Sequence, residues 1–346
     1  MKHQTTRYGE IPFYKIGTFG NTADAFISKK LFLEYKTKYS FPKKGDILIS
    51  ASGTIGRAVI YDGKPAYFQD SNIVWIDNDE TLVKNDFLFY AYSNVKWNTE
   101  HTTILRLYND NFRNTLIPLP PLNEQSAIAD ILSDLDRYLC ALDALILKKE
   151  SVKKALSFEL LSQRKRLKGF NQAWQRVRLG DICNYLTSNL SAEQITQQGK
   201  IKVYDVNNFI GYTDTTFISD KPYISIVKDG SVGRVRILPP KTNILSTMGA
   251  LIANHKTTTE FLFYLLSNFD FKNFTSGSII PHIYFKDYKE KTIFLPPLNE
   301  QSAIANILSS LDNEIASLKN KKRQFENIKK ALNHDLMSAK IRVLNK

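Results

Sequence analysis

The chain carries nearly the same segment twice. The first copy, LPPLNEQSAIADILSDLD, begins at Leu119, and the second, LPPLNEQSAIANILSSLD, begins at Leu295, 176 positions later. The copies differ at two positions only, Asp130 and Asp134 of the first copy. Self-similarity at a fixed period is the mark of a repeated structural unit, so this pair of segments constrains the fold more than any other feature.

Shorter matches extend the repeat over most of the chain. FLFYAYSN at Phe87 matches FLFYLLSN at Phe261, and SGTIGRAVI at Ser52 matches DGSVGRVRI at Asp229. The sequence therefore predicts one unit used twice, each a variable block followed by a near-identical block.

One segment is unpaired in this scheme. The second unit opens with WQRVRLGDICNYL at Trp174, whereas only MKHQTTRY stands before Gly9 in the first unit. We therefore expect the first unit to lack roughly the opening strand and turn of its twin.

The repeated segment opens a long predicted helix. From Asn123 to about Lys168 there is no proline or glycine, and apolar residues recur at alternating steps of four and three. This heptad-like spacing is typical of a helix that lies along another helix. Asn123 can cap the helix, Lys165 and its basic neighbours fit the last turn, and Gly169 can close it. At about 1.5 Å per residue, the helix would be about 65–70 Å long.

The second copy repeats the apolar stripe and is the nearest candidate partner. The pattern predicts two long antiparallel helices that form a coiled-coil-like rod with pseudo-twofold symmetry. The alternative is two separate amphipathic helices, each covering its own domain, although this length exceeds what a small domain can cover. The predicted packing residues are Ile128, Leu132, Leu135, Leu139, Leu142, Ile146, Ile304, Leu308, Leu311, Ile315, Leu318, Phe325, Ile328 and Leu332.

The blocks that precede the helices have the pattern of mixed, strand-rich domains. GDILISASG, NIVWID and KIKVYDV are β-rich runs bounded by turn formers, whereas NDFLFYAYSNV and TTEFLFYLLSNF predict short buried helices. The expected fold class is α+β. We place the variable domains at residues 1–118 and 169–294 and the long helices at 119–168 and 295–346.

The composition favours an anionic partner. The formal net charge is +13 at pH 7, which suits nucleic acid, although a merely soluble basic surface explains the charge equally well. The two cysteines make no disulfide framework, and Cys140 lies at an apolar helical position that predicts core packing. Neither a charged-then-apolar leader nor a long uncharged apolar run occurs, so we expect a soluble cytoplasmic protein without a membrane segment.

The glycine-containing turns SGTIGR and DGSVGR are candidate binding features. Two glycines three apart let a backbone approach another group closely, and the arginine that follows can meet a phosphate. The alternative is a tight turn between strands with a solvated arginine. Amide, guanidinium and other polar side chains in loops can read base edges, although most such residues are ordinary turn formers. The candidate DNA-binding residues are Arg57, Lys64, Gln69, Ser71, Asn72, Asn109, Asn111 and Arg113 in the first block, and Asn207, Asn208, Arg234, Arg236, Lys241, Ser276, Ser278 and His282 in the second.

Catalytic signatures are missing from the sequence. The five histidines are scattered without ligand spacing, so we predict no metal site. No nucleophile elbow occurs, and LPPL lacks the polar and aromatic ends with which a methyltransferase motif would hold a flipped base. The aromatic residues alternate as strand-core residues do, so we do not interpret them as stacking platforms. We expect no catalytic residues and no enzyme activity in this chain.

Two variable blocks, each ending in LPPLNEQSAIA and a long helix, resemble the specificity subunit of type I restriction-modification systems. The WQRVRLGDI segment at Trp174 is also similar to the start of that family's target-recognition domain. The resemblance covers nearly the whole chain. It implies that each variable domain reads one half of a bipartite double-stranded DNA target, while the helices set the spacing and dock two methyltransferase subunits.

The resemblance also implies what belongs to other chains. The restriction and translocase subunit would join through the complex, and S-adenosylmethionine, ATP and magnesium would be bound by partners, leaving no cofactor in this chain. Family members usually begin the first domain as they begin the second, so the first domain departs from the pattern. The alternative function is a non-DNA-binding adaptor or a silent specificity cassette that binds only the methyltransferase.

Overall fold

The computed structural model describes residues 4–68, 72–97 and 106–344. The chain forms two compact units. Unit 1 comprises Met1–Asp143 and Asn320–Lys346, and unit 2 comprises Ala144–Lys319. Unit 1 is therefore discontinuous in sequence, because it combines the first variable block and the start of the first long helix with the end of the second.

Two small sheets form the strand-rich part of unit 1. The elements of unit 1 are β1 (Ile11–Tyr14), β2 (Ala25–Ile27), α1 (Lys29–Lys38), β3 (Ile47–Ser50), β4 (Ala58–Ile60), β5 (Tyr67–Phe68), β6 (Ile73–Trp75), α2 (Asn85–Tyr92), α3 (Asn109–Arg113) and the long helix α4 (Leu122–Leu161), which continues into unit 2. Within its described residues the strand orders are β2-β1-β5 and β4-β3-β6. All four residues of β3, the central strand of the second sheet, are buried, and three of the four are apolar.

Unit 2 repeats these elements with the exception of α1 and adds others. Its elements are β7 (Gln175–Arg178), β8 (Cys183–Thr187), β9 (Ile201–Tyr204), β10 (Phe209–Thr213), β11 (Tyr223–Val227), β12 (Val235–Leu238), β13 (Thr242–Ile244), β14 (Met248–Ala253), α5 (Thr259–Ser267), β15 (Thr275–Ser276), β16 (His282–Ile283), α6 (Phe285–Tyr288), β17 (Thr292–Leu295) and the long helix α7 (Leu298–Met337), which continues into unit 1.

The sheets of the two units have the same topology. The sheet β10-β9-β13 has the antiparallel and parallel pairings of β2-β1-β5, and β12-β11-β14 matches β4-β3-β6. In unit 2 a further strand, β8, pairs with β14, and β7 pairs with β17. The predicted short buried helices are α2 and α5. Thr258 caps α5 by accepting a hydrogen bond from the Phe261 N–H at 3.2 Å.

The long helices pair antiparallel in each unit. In unit 1 the ring centroids of Tyr138 and Phe325 lie 4.7 Å apart, and Asp143 of α4 pairs with Lys322 of α7 at 2.7 Å. In unit 2 Lys149 of α4 lies 2.8 Å from a carboxylate oxygen of Glu314. The predicted α+β fold with paired long helices is therefore confirmed, and the alternative of two unpaired amphipathic helices is wrong.

Burial along the predicted helix stripe is uneven. Ile328 is 50% exposed, so its expected packing role is wrong. On this part of α7 the covered positions recur every four residues, at the half-buried Phe325 and Lys329 and the buried Asn333. Ile328 lies outside this row and is exposed to solvent. Cys140 is also exposed, since it follows Leu139 and turns about 100° away from the apolar stripe, so the expected core role is wrong. Buried stripe positions are Ile128, Leu132, Leu142, Ile146, Ile304, Leu308 and Ile315, and half-buried ones are Leu135, Leu139, Leu311, Leu318, Phe325 and Leu332.

The first long helix is shorter than its sequence suggests. It ends at Leu161, and Gln163 takes a left-handed φ of 60°, as Ala339 does at 56° after α7. The expected basic last turn and closure at Gly169 are therefore wrong. The left-handed backbone of Gln163 cannot continue a right-handed α-helix. Beyond this residue Arg166 lies 2.7 Å from the Glu300 carboxylate of unit 2. With 40 residues, each long helix extends about 60 Å at about 1.5 Å per residue.

In the part of the chain that the structure describes, every helix is too short or too polar to cross a lipid bilayer.

Candidate nucleic-acid interface

The two glycine turns have the same structure in the two units. Gly56 and Gly233 both have φ of 80°, and each N–H donates a 2.9 Å hydrogen bond back to the end of the preceding strand. A Cβ on Gly56 would lie 2.2 Å from Trp97 Nε1, and one on Gly233 would lie 2.6 Å from a ring carbon of Phe271. The close approach that glycine permits is therefore to the protein's own aromatic ring, and both segments are tight turns between strands.

The arginine that follows each glycine turn is hydrogen-bonded to another part of the same unit. Arg57 Nη1 donates to the Phe19 carbonyl at 2.9 Å. Arg234 Nη2 donates to the Asn207 side-chain oxygen at 2.8 Å, and Arg236 Nη1 donates to the Asn207 carbonyl at 2.8 Å. A guanidinium carries five N–H donors, so each of these bonds orients the group and leaves donors for a phosphate or a base. The structure thus brings together three predicted residues of unit 2, Asn207, Arg234 and Arg236.

In each unit a second segment, further along the chain, forms a β-bridge with the glycine turn. In unit 2 His282 bridges Asp229, with Nδ1 2.7 Å from the carboxylate, and the Ser276 hydroxyl lies 3.5 Å from the His282 carbonyl. In unit 1 Arg106 bridges Ser52 in the same way. Arg106 therefore occupies the place of His282, 176 positions earlier in the chain, and the repeat period was the signal that could have found it.

Burial and hydrogen bonding have opposite effects on the pKa of the Asp229 carboxyl. Burial raises the pKa of the Asp229 carboxyl, but hydrogen bonds from His282 and Lys228, together with the lysine charge, outweigh that effect and leave its pKa below the usual value. The Lys228 ammonium lies 3.2 Å from the carboxylate. The Asp229 carboxylate thus lies between the Lys228 ammonium and the His282 ring, both of which contact it.

An exposed tyrosine follows the bridging residue in each unit. Tyr108 is 42% exposed and lies 5.9 Å from the Arg106 guanidinium carbon, and Tyr284 is 49% exposed and lies 5.5 Å from Lys286 Nζ. An aromatic face beside a cation suits a nucleic-acid surface. These two tyrosines are therefore exposed and not part of a strand core. The expectation that the aromatic residues are not stacking platforms stays a prediction.

Several predicted residues of unit 1 have structural partners. The Asn72 side-chain oxygen accepts a hydrogen bond from Ser52 at 2.8 Å, beside the glycine turn. The Asn111 side chain caps α3 by accepting from the Tyr108 N–H at 2.6 Å. Asn109 is the first residue of that helix, and Arg113 lies 3.6 Å from Asp110.

The remaining predictions are spread over the surface. Lys64 is exposed and lies 3.3 Å from Asp62. Lys241, exposed in the loop between β12 and β13, takes a left-handed φ of 57°, and Asn208 and Ser278 are exposed loop residues of unit 2. Gln69 and Ser71 lie outside the described residues. Among the residues that are described, no group of three or more His, Cys, Asp or Glu side chains is placed to hold a metal ion.

The glutamine of each LPPLNEQ segment fixes the variable block to the long helix. Gln125 accepts from the Lys84 N–H at 2.8 Å and donates to the Leu82 carbonyl at 3.0 Å. Gln301 makes the same contacts with the Thr258 N–H at 3.0 Å and the Lys256 carbonyl at 2.9 Å. Both glutamines are buried, so these bonds hold the short helix α2 or α5 at a defined position on α4 or α7.

A tyrosine–carboxylate–lysine contact strengthens each attachment. Tyr90 donates to Asp136 at 2.9 Å, as Tyr264 donates to Asp312 at 2.9 Å. Burial, and then the hydrogen bond to the carboxylate, raise the pKa of both tyrosines. Lys329 pairs with Asp136 at 2.5 Å from the other long helix. Sequence reasoning missed these residues, although the tyrosine and the aspartate of each pair lie in segments that are repeated in the two copies.

The sequence and the fold both have known relatives. A sequence model described as the type I restriction modification DNA specificity domain matches residues 1–150 and 171–327. A putative type I restriction enzyme specificity subunit of Haemophilus influenzae is 63% identical over 137 residues, a match that covers 39% of this chain and 36% of that protein. A putative type I restriction enzyme specificity subunit of Methanocaldococcus jannaschii is 30% identical over 335 residues, covering 86% of this chain and 79% of that protein.

Solved structures share the fold. The S subunit of a type I restriction-modification system from M. genitalium superposes with a TM-score of 0.63 at 20% identity, covering 97% of this chain and 91% of that one. A chain from a structural study of complex assembly and conformational transition of the type I R-M system gives a TM-score of 0.52 at 16% identity, covering 85% of this chain and 82% of that one.

Proposed function

Because the chain belongs to the type I restriction-modification DNA specificity family, we propose that it is the DNA-recognition and scaffold subunit of such a complex. Each variable domain reads one half of a bipartite double-stranded target. The long helices, which run from one unit into the other, set the spacing between the halves and dock two methyltransferase subunits.

The observation that carries this proposal is the repetition of one surface. Each unit presents a glycine turn, an arginine held at its exit and an exposed tyrosine beside a cation. Two equivalent surfaces suit a target with two half-sites. Phosphate contacts from Arg57 and Arg234 would position the domains, and side chains around Asn72 and Asn207 would read bases.

Catalysis and cofactors belong to the partners in this proposal. The chain itself carries out no methyl transfer or strand cleavage. S-adenosylmethionine would be bound by the methyltransferase subunits, for which an adenine methyltransferase is the expected class. ATP and magnesium would be bound by the restriction and translocase subunit. The complex would act in the cytoplasm, where the host DNA is.

Comparing the methylome of host cells with and without the gene tests this function. We expect a bipartite methylated motif that disappears with the gene. If the complex forms but no motif depends on this chain, the function is wrong.

Substitution of the turn arginines tests the surface itself. Arg57→Ala and Arg234→Ala, each in the full complex, should weaken DNA binding and reduce the slope of log affinity against log salt by about one each. Lys148→Ala, at an exposed position on α4, is the matched control. The alternative function, an adaptor or silent cassette that binds only the methyltransferase, predicts no salt-dependent binding to any bipartite sequence.

A further inference from the structure

A polar cavity lies in unit 2 where α5 meets the paired long helices. Its volume is about 420 Å³, which is in the range of sites that bind small molecules. Lys153, Lys154 and Ser157 of α4 line it together with Lys319 of α7. None of these residues belongs to the surface of glycine turn, arginine and tyrosine that we assign to DNA. DNA recognition therefore does not account for this cavity.

Ser157 has a buried hydroxyl for which unit 2 provides no partner. The residue is 3% exposed and lines the cavity. Its side chain makes no hydrogen bond to any of the described residues, which include all of 144–319. Buried polar side chains are normally hydrogen-bonded, so this hydroxyl is available to a ligand atom inside the cavity.

A longer side chain fills the equivalent position of unit 1. Asn333 lies 176 positions after Ser157 and is also buried. Its Nδ2 donates to the Ser93 hydroxyl at 2.6 Å. The counterpart of Ser93 in unit 2 is Ser267, which lines the cavity. The shorter serine therefore leaves space in unit 2 that the asparagine amide occupies in unit 1.

The charge of the cavity favours an anion, since its lining contains three lysines and two carboxylates. Lys153 pairs with Asp312, and Lys319 lies 2.6 Å from Glu150. Lys154 has no ion pair with any described residue. Each ammonium carries three N–H donors, so donors remain for a ligand even where a lysine has a carboxylate partner.

Charge reversal distinguishes this cavity from the same place in unit 1. Asp143 stands at the position of Lys319, and its carboxylate lies 2.7 Å from Lys322. A carboxylate at this point repels an anion, whereas the Lys319 ammonium attracts one. The size of the side chain at Ser157 and the charge at Lys319 thus both differ between the units in the direction that favours an anion in unit 2.

We propose that this cavity binds the phosphate group of a small phosphorylated molecule. The Ser157 hydroxyl donates to a phosphate oxygen, while Lys154 and Lys319 balance its charge. A phosphate monoester carries about two negative charges and three acceptor oxygens, which suit this set of donors better than a carboxylate does. Because Ser157 is buried, a small molecule reaches it more readily than the backbone of a duplex does.

Calorimetry with the full chain and pyrophosphate as the probe tests the proposal. Ionic strength is held constant with sodium chloride, so that general screening does not change during the titration. We expect saturable one-to-one binding with a Kd below about 1 mM. Amide hydrogen exchange should slow at least about threefold at residues 264–268, the end of α5 beside the cavity.

Ser157→Asn is the decisive variant. It introduces the residue that unit 1 has at this position, so the fold should tolerate it, and an unchanged melting temperature checks this. The new amide should reach Ser267 as Asn333 reaches Ser93 and fill the space of the ligand. The affinity for pyrophosphate should fall at least about tenfold.

A pair of lysine variants separates the cavity from the general charge of α4. Lys154→Ala should weaken binding about three- to tenfold, because its ammonium lines the cavity. Lys148→Ala removes the same charge from an exposed position of α4 outside the cavity and should change the affinity less than about twofold.

Four results would overturn the proposal. The first is no saturable binding of pyrophosphate, and the second is unchanged affinity in Ser157→Asn. The third is an equal loss in Lys154→Ala and Lys148→Ala. The fourth is protection of residues 264–268 by a DNA duplex and not by pyrophosphate, which would assign the cavity to DNA. The calorimetric readouts need no DNA, so their failure is distinct from failure of the proposed function.

Discussion

The Arg342 guanidinium lies 2.9 Å from the Glu124 carboxylate, joining the segment after α7 to the first turn of α4 within unit 1. The same ion pair occurs in unit 2, where Arg166 follows α4 and Glu300 begins α7. In each unit the acid sits at a helix N-terminus, where the dipole favours a negative charge. Each unit is thus closed by the helix that began in the other one.

Removal of the arginine should destabilise unit 1. The Glu124 side chain is only 6% exposed, so Arg342→Ala leaves a carboxylate without its ionic partner. We expect a lower melting temperature for the transition of unit 1. Lys340→Ala is the control, since its partner Asp335 is 3.5 Å away and the lysine is 61% exposed. Equal melting temperatures for Arg342→Ala and Lys340→Ala would show that the ion pair between Arg342 and Glu124 does not stabilise unit 1.

The contribution of this pair should depend on pH. The hydrogen bonds from Arg342 hold the pKa of the Glu124 carboxyl below its usual value. A lowered folded-state pKa gives stability that is fully present above the unfolded pKa, about 4.3, and is lost as pH falls through the folded value. The urea midpoint of the parent chain should therefore exceed that of Arg342→Ala at pH 7, and this difference should be much smaller at pH 3. A difference that persists at pH 3 would point to packing rather than to charge.

Gly233 should be intolerant of a side chain for two separate reasons. Gly233→Ala adds a Cβ 2.6 Å from Phe271 and retains a φ of 80°. We expect a loss of about 2–5 kcal/mol in the free energy of unfolding, combining backbone strain with overpacking. Gly169→Ala has a similar φ of 92° and nothing within 4 Å, so it should lose only about 1–2 kcal/mol. Urea unfolding measures the loss of free energy in both variants. Equal losses for Gly233→Ala and Gly169→Ala would mean that the contact with Phe271 does not add to the cost.

Unit 1 should open more readily than unit 2. Strand β14 is covered by β8, whereas β6 pairs only with β3 among the described residues. Native-state hydrogen exchange in the full chain should show a lower opening free energy for β3 than for β11. The full chain is required because unit 1 is discontinuous in sequence. Equal opening free energies would show that the pairing of β8 with β14 does not stabilise unit 2 relative to unit 1.

Much of the site lay beyond sequence reasoning because its members are close only after folding. Asn207, Arg234 and Arg236 were predicted individually, but their shared hydrogen bonds depend on strands β9 to β12 meeting in space. Arg106 and Tyr108 were missed because nothing local distinguishes them from ordinary loop residues. The domain boundaries at 118, 168 and 294 stay predictions, as do the individual DNA contacts.

The sequence by itself determined the duplication, the family, the strand-rich blocks and the paired long helices. The duplication, the strand-rich blocks and the paired helices follow from apolar spacing and repeated segments, which reflect local geometry, whereas the family follows from the resemblance of the repeated segments to known sequences. Only the tertiary structure decided that each unit is assembled from both ends of the chain, because the partners Glu124 and Arg342 are separated by most of the sequence. It also decided that the glycine turns meet internal aromatic rings, which depends on what packs against them and leaves no periodic signal.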